Sequence, residues 1–224
     1  MTSQTQETTF VLASTSPRRK ELMGITGLRF TVGAVEVDET PIAQEQAQDY
    51  VARVAKSKAR AAVRKMQNGE MVIAADTTVV HAGNILGKPG DEDKAAEMLD
   101  TLCGNTHEVI TSLTIIRTHD RLELSDLAVT EVPMREYSQE EVHNYIASGD
   151  PLDKAGSYAI QHEGFHPVMK LQGCYANVVG LPLCHVVRTL EKFDISLPAD
   201  VPNKCQQQFA YECSVYEHLL KGEL

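Results

Sequence analysis

Short apolar runs alternate along this sequence with longer segments in which apolar residues recur at helical spacing. Strands covered by helices produce this alternation, so the pattern predicts an α/β fold. The run that begins at Met71 meets a Gly83-Asn84 turn, which indicates a β-hairpin and therefore a mixed rather than an all-parallel sheet. The strand-like runs are Phe10–Ala13, Phe30–Val35, Met71–Ala75, Val109–Arg117 and Leu122–Met134. The helical patterns are Pro41–Met66, Asp91–Leu102, Ser138–Ile146 and Pro182–Phe193.

The C-terminal part of the sequence has weaker patterns. A second hairpin is predicted around Gly173, between Val168–Leu171 and Cys174–Val179. Helical periodicity fades after Phe193 and returns only over Gln206–Leu219, where we expect a peripheral helix. The full length of 224 residues is enough for one domain, or for one domain with two lobes.

The charge balance excludes some classes of partner. The 21 Lys and Arg residues stand against 31 Asp and Glu residues, a formal charge of −10. Domains that bind nucleic acid are usually basic, so nucleic acid is not an expected partner. No segment approaches about 18 uninterrupted apolar residues, so a membrane is not expected either. The five cysteines form no C-x-x-C pair, which fits neither a disulfide framework nor a zinc knuckle and favours a cytoplasmic location.

The first candidate site lies just after Phe10–Ala13, where Ser14 and Ser16 precede a proline and a helical segment begins. Free backbone N–H groups at the start of a helix favour an anion. Arg18 and Arg19 would add guanidinium groups suited to phosphate oxygens. The alternative interpretation is a capped helix that carries two solvated arginines.

Two lysines are candidates for contacts with a phosphate group. Lys58 lies on the apolar stripe of the Pro41–Met66 helix, four residues after Val54 and four before Ala62. Such a lysine either extends its stem to solvent or turns its ammonium towards a ligand. Lys88 follows the predicted hairpin in a Gly-Lys-Pro loop, the kind of segment that often carries function, although a solvated lysine is the simpler interpretation.

Carboxylates complete the set of candidates. Asp76 stands where an almost entirely apolar strand ends, and ligands of open α/β sheets bind beyond such strand ends. Thr77 and its neighbour offer local hydrogen bonds that would satisfy Asp76 structurally instead. An acidic patch of Glu36, Asp38 and Glu39 follows another strand-like run, and such a patch either is solvated or supplies the oxygen ligands that Mg²⁺ or Mn²⁺ requires.

Together these features outline a pocket for a nucleotide polyphosphate, and their order along the chain resembles the Maf family of nucleoside triphosphate pyrophosphatases. The resemblance runs from about residue 10 to residue 193. It rests on Leu12–Arg19, Val37–Glu39, Ala55–Ala59, Ala75–Thr77, Gly87–Pro89, Gly104–Val109, Asp153–Gly156 and Ile160-Gln161.

The resemblance implies an organisation for the chain. Residues 10–193 would form a single catalytic domain similar to the inosine triphosphatase fold, with an elongated mixed sheet, flanking helices and two lobes around a cleft. Residues 1–9 would be a flexible tail, and residues 194–224 an extension for which the resemblance offers no role. It also implies a homodimer.

The resemblance further implies hydrolysis of dTTP or UTP between the α and β phosphates, with a divalent metal. Asp76 would be the catalytic carboxylate, and Arg18, Thr77 and Gln161 would select the base. Ala159 and His162 depart from the family, in which glycines commonly flank the Ile-Gln pair. This departure concerns which nucleotides the site accepts.

The predicted mechanism assigns roles to two sets of residues. Asp76, with Asp38 or Glu39, would hold Mg²⁺ or Mn²⁺ and orient the attacking water. Charge on the phosphate oxygens would be stabilised by the cationic side chains of Lys58, Lys88, Arg18 and Arg19. Two alternatives remain: a regulatory protein of cell division that binds a nucleotide without turnover, and a phosphomonoesterase that releases inorganic phosphate.

Overall fold

A computed structural model of the chain describes residues 9–66 and 70–223. Residues 1–8 of the predicted tail lie outside the described residues, and Thr9 already belongs to the first strand. The described strands form one sheet, with β4 paired at the side of β3 and the others in the order β2-β1-β3-β5-β6. The strands are β1 (Thr9–Leu12), β2 (Phe30–Val32), β3 (Glu70–His81), β4 (Asn84–Leu86), β5 (Thr106–Arg117) and β6 (Glu123–Pro133).

Strand directions in the sheet are mixed, as predicted. Strand β1 is parallel to both β2 and β3. The remaining neighbours are antiparallel, and the hairpin β3–β4 turns where Gly83-Asn84 indicates it. The α/β fold with a mixed central sheet is therefore confirmed.

Eight α-helices flank the sheet in the described residues, and none is long and apolar enough to cross a lipid bilayer. The helix starts follow local chemistry: Ser16 caps α1 ahead of a proline, Asp91 caps α3, and Ser138 forms a capping box with Glu141 in α4. The helices are α1 (Pro17–Ile25), α2 (Ala47–Val63), α3 (Glu92–Leu102), α4 (Gln139–Ala147), α5 (Tyr175–Val179), α6 (Leu183–Glu191), α7 (Val201–Phe209) and α8 (Tyr216–Lys221).

The two faces of the sheet bury different helices. Helix α2 packs on one face through Ala59 and Ala62, against alternate residues of β1 and β3 such as Val72. The opposite face carries two apolar cores along β3. The first core includes Ile73 and packs against α1 and α6, whereas the second includes Val79 and packs against α3 and α4. The stretch of β3 between these cores contains Asp76 and Thr77.

Several predicted elements differ from the structure. Helix α2 begins at Ala47 rather than Pro41, because the Glu45 carboxylate accepts hydrogen bonds from the Ile42 N–H and from Arg53 and so holds the preceding residues in a turn. The predicted hairpin around Gly173 is wrong, since residues 175–179 form α5. The Cys174–Val179 run is largely buried, so its apolar pattern could not distinguish a strand from a helix.

The predicted helix over Gln206–Leu219 is also wrong, because the segment contains two helices. Helix α7 ends at Phe209, and Ala210 adopts a left-handed conformation with φ 45° before α8 begins. A left-handed residue stops a helix, and for a residue other than glycine it is uncommon. The sequence offers no glycine or proline there to indicate the break.

Candidate active site

A cleft of about 730 Å³ opens beside the stretch of β3 that separates the two apolar cores. Its walls come from the segment between β1 and α1, the loop after β2, helix α2, the centre of β3, the Gly87-Lys88 loop, the 153–161 segment and the end of α5. All predicted site residues except Asp38 line it: Ser14, Ser16, Arg18, Arg19, Glu39, Lys58, Asp76, Thr77, Lys88 and Gln161.

An ammonium group held between two carboxylates lies at the bottom of the cleft. Asp76 is only 5% exposed, and its Oδ1 atom accepts a hydrogen bond of 2.7 Å from Lys58 Nζ. The same Nζ atom lies 2.8 Å from Glu39 Oε1. Lys58 is on helix α2, which covers one face of the sheet, and Asp76 points to that face because it lies four residues after Val72 and two after Ala74, which pack there. Lys58 therefore turns towards a partner in the cleft.

The two carboxylates have opposite pKa shifts. Burial raises the pKa of Asp76 above its ordinary value, although the Lys58 and Arg19 charges work against the rise. Burial also acts on Glu39, but the hydrogen bond and charge of Lys58, with the charges of Lys88 and Arg19, outweigh it and lower the pKa of Glu39. A buried carboxylate with a raised pKa is a better proton acceptor near neutral pH.

The loop that carries Glu39 is tied to helix α2. The Tyr50 hydroxyl donates a 2.9 Å hydrogen bond to the Glu39 carbonyl oxygen. Arg53 donates to the Thr40 carbonyl at 3.0 Å and forms a two-pronged ion pair with Glu45 at 2.6 and 2.7 Å. These positions carry no signal in the sequence, because the spacing of Glu45 and Arg53 is not that of a helical ion pair and the loop conformation is not encoded locally.

A second hydrogen-bonded group lines the other side of β3. Arg19 Nε donates to the Gly180 carbonyl at 2.8 Å, and Arg19 Nη2 donates to Thr77 Oγ1 at 3.0 Å. Thr77 Oγ1 also lies 2.9 Å from Thr111 Oγ1. Gly180 has φ 120°, a backbone conformation that favours glycine. The end of α5 is thus joined to the predicted phosphate-binding segment.

The start of α1 is capped: Ser16 accepts a hydrogen bond from the Arg19 N–H at 3.4 Å, and Ser14 Oγ accepts from the Ser16 N–H at 3.2 Å, so these two N–H groups are bonded to side chains. Arg18 reaches across the cleft towards Asp153, with 3.6 Å between Nη1 and Oδ2.

Lys88 and Gln161 are exposed positions at the mouth of the cleft. In the described residues Lys88 has no ion-pair partner at bonding distance. Its ammonium is therefore available to an anion that enters the cleft.

Asp38 lies outside the cleft. It is exposed, and its Oδ1 atom accepts a 2.9 Å hydrogen bond from the Thr40 N–H. Its side chain therefore stabilises the turn of the loop while its neighbour Glu39 faces Lys58.

The carboxylates that line the cleft fit the chemistry of a divalent metal. Among the described residues no group of three or more His, Cys, Asp or Glu side chains is positioned to hold a metal ion. Mg²⁺ typically binds through one or two carboxylates together with substrate phosphates and water. Glu39 and Asp76, which face the same ammonium group, match that smaller requirement.

Comparisons with known proteins identify the family of this chain. A family model described as Maf-like protein matches residues 9–193. The dTTP/UTP pyrophosphatase of Myxococcus xanthus (strain DK1622) is 45% identical over 192 residues, 86% of this chain and 96% of that protein. The dTTP/UTP pyrophosphatase of Bacillus cereus (strain B4264) is 44% identical over 187 residues, 84% of this chain and 96% of that protein.

Among solved structures, the Staphylococcus aureus Ham1 protein matches 96% of this chain and 100% of its own with a TM-score of 0.44 at 14% identity. The family match over residues 9–193 includes every segment that lines the cleft, and the relatives cover most of the sequence. The chain therefore belongs to the Maf family.

Proposed function

We propose that this protein hydrolyses the α–β phosphate bond of dTTP, UTP or a modified pyrimidine nucleoside triphosphate, releasing the monophosphate and pyrophosphate. The observation that carries the proposal is the Lys58 ammonium between Asp76 and Glu39, in a cleft that also collects Arg18, Arg19 and Lys88. A volume of about 730 Å³ is suited to a nucleotide. Relatives named dTTP/UTP pyrophosphatase support the reaction and the pyrimidine substrate.

Asp76 acts as the general base in the proposed reaction. The water oxygen attacks the α-phosphorus and its proton passes to the Asp76 carboxylate, while the bond between the α-phosphorus and the bridging oxygen breaks and pyrophosphate leaves with that oxygen. The raised pKa of Asp76 makes the carboxylate a stronger base for this step. Lys58 holds the carboxylate in place through the 2.7 Å hydrogen bond.

Cationic side chains neutralise the triphosphate in the proposed complex. Lys88, Arg18 and the N-terminal end of α1 all line the cleft, where the dipole of α1 also favours an anion. Charge that develops on the leaving pyrophosphate is stabilised by such preorganised donors. Glu39 and Asp76 would hold Mg²⁺ or Mn²⁺, which, when bound, supplies Lewis-acid stabilisation of the phosphate oxygens.

The base is recognised, in this proposal, by Gln161, Thr77 and Arg18. Gln161 carries both an amide donor and a carbonyl acceptor, so it can pair with the polar edge of a pyrimidine. Its exposed position at the cleft mouth leaves these groups accessible to a ligand.

The location and assembly of the protein complete the proposal. We infer a cytoplasmic location, which is supported by five cysteines that are all free thiols. A homodimer is proposed from the family resemblance, and light scattering on the purified protein measures it directly.

The test is an assay of the purified protein with dTTP, UTP and GTP, each with Mg²⁺ and with Mn²⁺, in which pyrophosphate and inorganic phosphate are measured separately. We expect pyrophosphate from the pyrimidine nucleotides. Inorganic phosphate as the first product would indicate a phosphomonoesterase instead. Nucleotide binding without any turnover under both metals would indicate a regulatory protein of cell division.

A further inference from the structure

The C-terminal extension lies beyond residue 193, where the matched family model ends, yet it is part of the hydrophobic core. Val201 of α7 and Leu219 of α8 are buried in the first core together with residues of β1 and β3. Arg188 of α6 donates a 2.8 Å hydrogen bond to the Leu219 carbonyl oxygen. The extension therefore has a defined position against the first core and α6.

Tyr211, between α7 and α8, is hydrogen-bonded to the chain segment that leads into α5. Its hydroxyl oxygen accepts from the Gly173 N–H at 3.2 Å and lies 2.9 Å from the Gly173 carbonyl and 3.1 Å from the Leu171 carbonyl, to one of which it donates. Gly173 is itself pressed on the sheet, because a side chain there would come within 2.8 Å of Thr130. The segment is thus held between Tyr211 and β6.

Aromatic rings of the extension also pack on the first residue of α5. Tyr175 stacks on Phe209 with 4.7 Å between ring centroids, and the ring centroid of Tyr211 lies 5.5 Å from that of Tyr175. A helix as short as α5 has no independent stability, so its position is set by what packs on it.

The other end of α5 forms part of the cleft. Val178, Val179 and Gly180 line the cavity, and the Gly180 carbonyl accepts the 2.8 Å hydrogen bond from Arg19. A shift at Tyr175 would therefore displace the acceptor that aims Arg19 and Thr77.

We propose that the extension braces the nucleotide site, with Tyr211 and Phe209 as positioning residues that act through α5 on Arg19 and Thr77. The inference rests on the proposed function for its kinetic readout, but nucleotide binding tests it separately. The ligand whose binding depends on this brace is the nucleoside triphosphate, at the wall of the cleft that the end of α5 forms.

The experiment compares Tyr211→Phe with Tyr216→Phe in the full-length chain. The second variant is the matched control, since it removes a hydroxyl of the same extension whose one partner among residues 9–66 and 70–223 is the exposed Glu217. We expect Tyr211→Phe to raise KM for UTP, and Kd for a non-hydrolysable UTP analogue, by roughly threefold to tenfold with kcat changed less, the pattern of weakened binding. Phe209→Leu should shift both constants in the same direction.

A double-mutant cycle separates positioning from general loss of packing. If Tyr211 acts through Thr77, Tyr211→Phe should change Kd by less than about twofold in a Thr77→Val background, since coupled residues are not additive. Unchanged KM and Kd in folded Tyr211→Phe, or full additivity in the cycle, would overturn the brace. Absence of pyrophosphate release from the wild-type chain would overturn the proposed function instead, while the Kd comparison would still decide the brace.

Discussion

Asp76 shows how one residue acquires a chemical role from its surroundings. Its strand is apolar on both sides, its carboxylate is buried, and one lysine from α2 is its close partner. A carboxylate in that position is costly for folding unless it is paired, and a functional group is a common reason for retaining it. The run of apolar residues before Asp76 predicts this residue from sequence, but the prediction that the strand ends there is wrong, because β3 continues through Asp76 to His81.

Replacing Asp76 tests its role directly. We expect Asp76→Asn to fold normally but to lower kcat for UTP by on the order of a hundredfold or more, as loss of a general base does. Asp120→Asn is a suitable control, since Asp120 pairs with Arg117 on an exposed turn away from the cleft. Turnover of Asp76→Asn close to that of the wild type would remove Asp76 from the mechanism.

The pH dependence of kcat/KM reports the same carboxylate. A general base must be deprotonated, so activity should be lost as the pH falls through the pKa of Asp76 in the folded protein. Because burial raises that pKa, the acidic limb should lie above the ordinary aspartate value of about 3.9. A limb at or below that value would contradict a raised pKa.

Gln161 tests the recognition of the base. We expect Gln161→Ala to lower the preference for dTTP over GTP, measured as a ratio of kcat/KM, by roughly tenfold or more, since a site that hydrogen-bonds a polar edge discriminates through those bonds. Its exposed position predicts little change in thermal unfolding. An unchanged dTTP to GTP ratio would count against Gln161 as a reader of the base.

Among the elements, the capped helices and the β3–β4 hairpin could be predicted from the sequence, whereas the loop after β2 and helix α5 could not. The Ser16-Pro17 start of α1 and the Gly83-Asn84 turn depend on adjacent residues, so local sequence specifies them. The turn before α2 depends on Arg53, and α5 depends on packing by the extension. Contacts between distant segments leave no pattern in a single sequence.

The hydrogen bonds that Arg53 makes predict what its replacement does to the loop that carries Glu39. We expect Arg53→Met to lower kcat/KM for UTP by about tenfold, because misplacement of a positioned group carries a cost of that order. Arg60→Met is the matched control: Arg60 is on the same helix and forms a two-pronged pair with Glu123, at 2.8 and 2.9 Å, outside the cleft. Equal losses in the two variants would mean that the effect comes from helix α2 rather than from the position of Glu39.

In the whole molecule, the cleft opens beside the stretch of β3 that lies between the two apolar cores, with Thr77 on the face that carries those cores and Asp76 on the α2 face. Two histidines are buried: His185 of α6, and His107 of β5, whose Nε2 atom lies 2.8 Å from the Tyr158 hydroxyl. Burial lowers the pKa of each imidazole to about 4. Both are therefore neutral in the folded protein, and they gain protons more readily when it unfolds.

The sign of that shift gives a stability prediction. A lowered histidine pKa means that the unfolded chain binds more protons, so the free energy of unfolding should fall as the pH drops from about 6.5 towards 5, by roughly 1–2 kcal/mol per histidine. Carboxylates with lowered pKa values lose their contribution only at lower pH, so this window isolates the histidines. Denaturant unfolding at pH 7, 6 and 5 measures it, and a constant free energy of unfolding would contradict the neutral buried imidazoles.

In the proposed reaction, water attacks the α-phosphorus of a nucleotide held beside Asp76. Hydrolysis of UTP in water enriched in the heavy oxygen isotope, followed by mass spectrometry of both products, identifies the phosphorus atom that the water attacks. We expect the label in the uridine monophosphate and none in the pyrophosphate. Label in the pyrophosphate, or release of labelled inorganic phosphate, would contradict it.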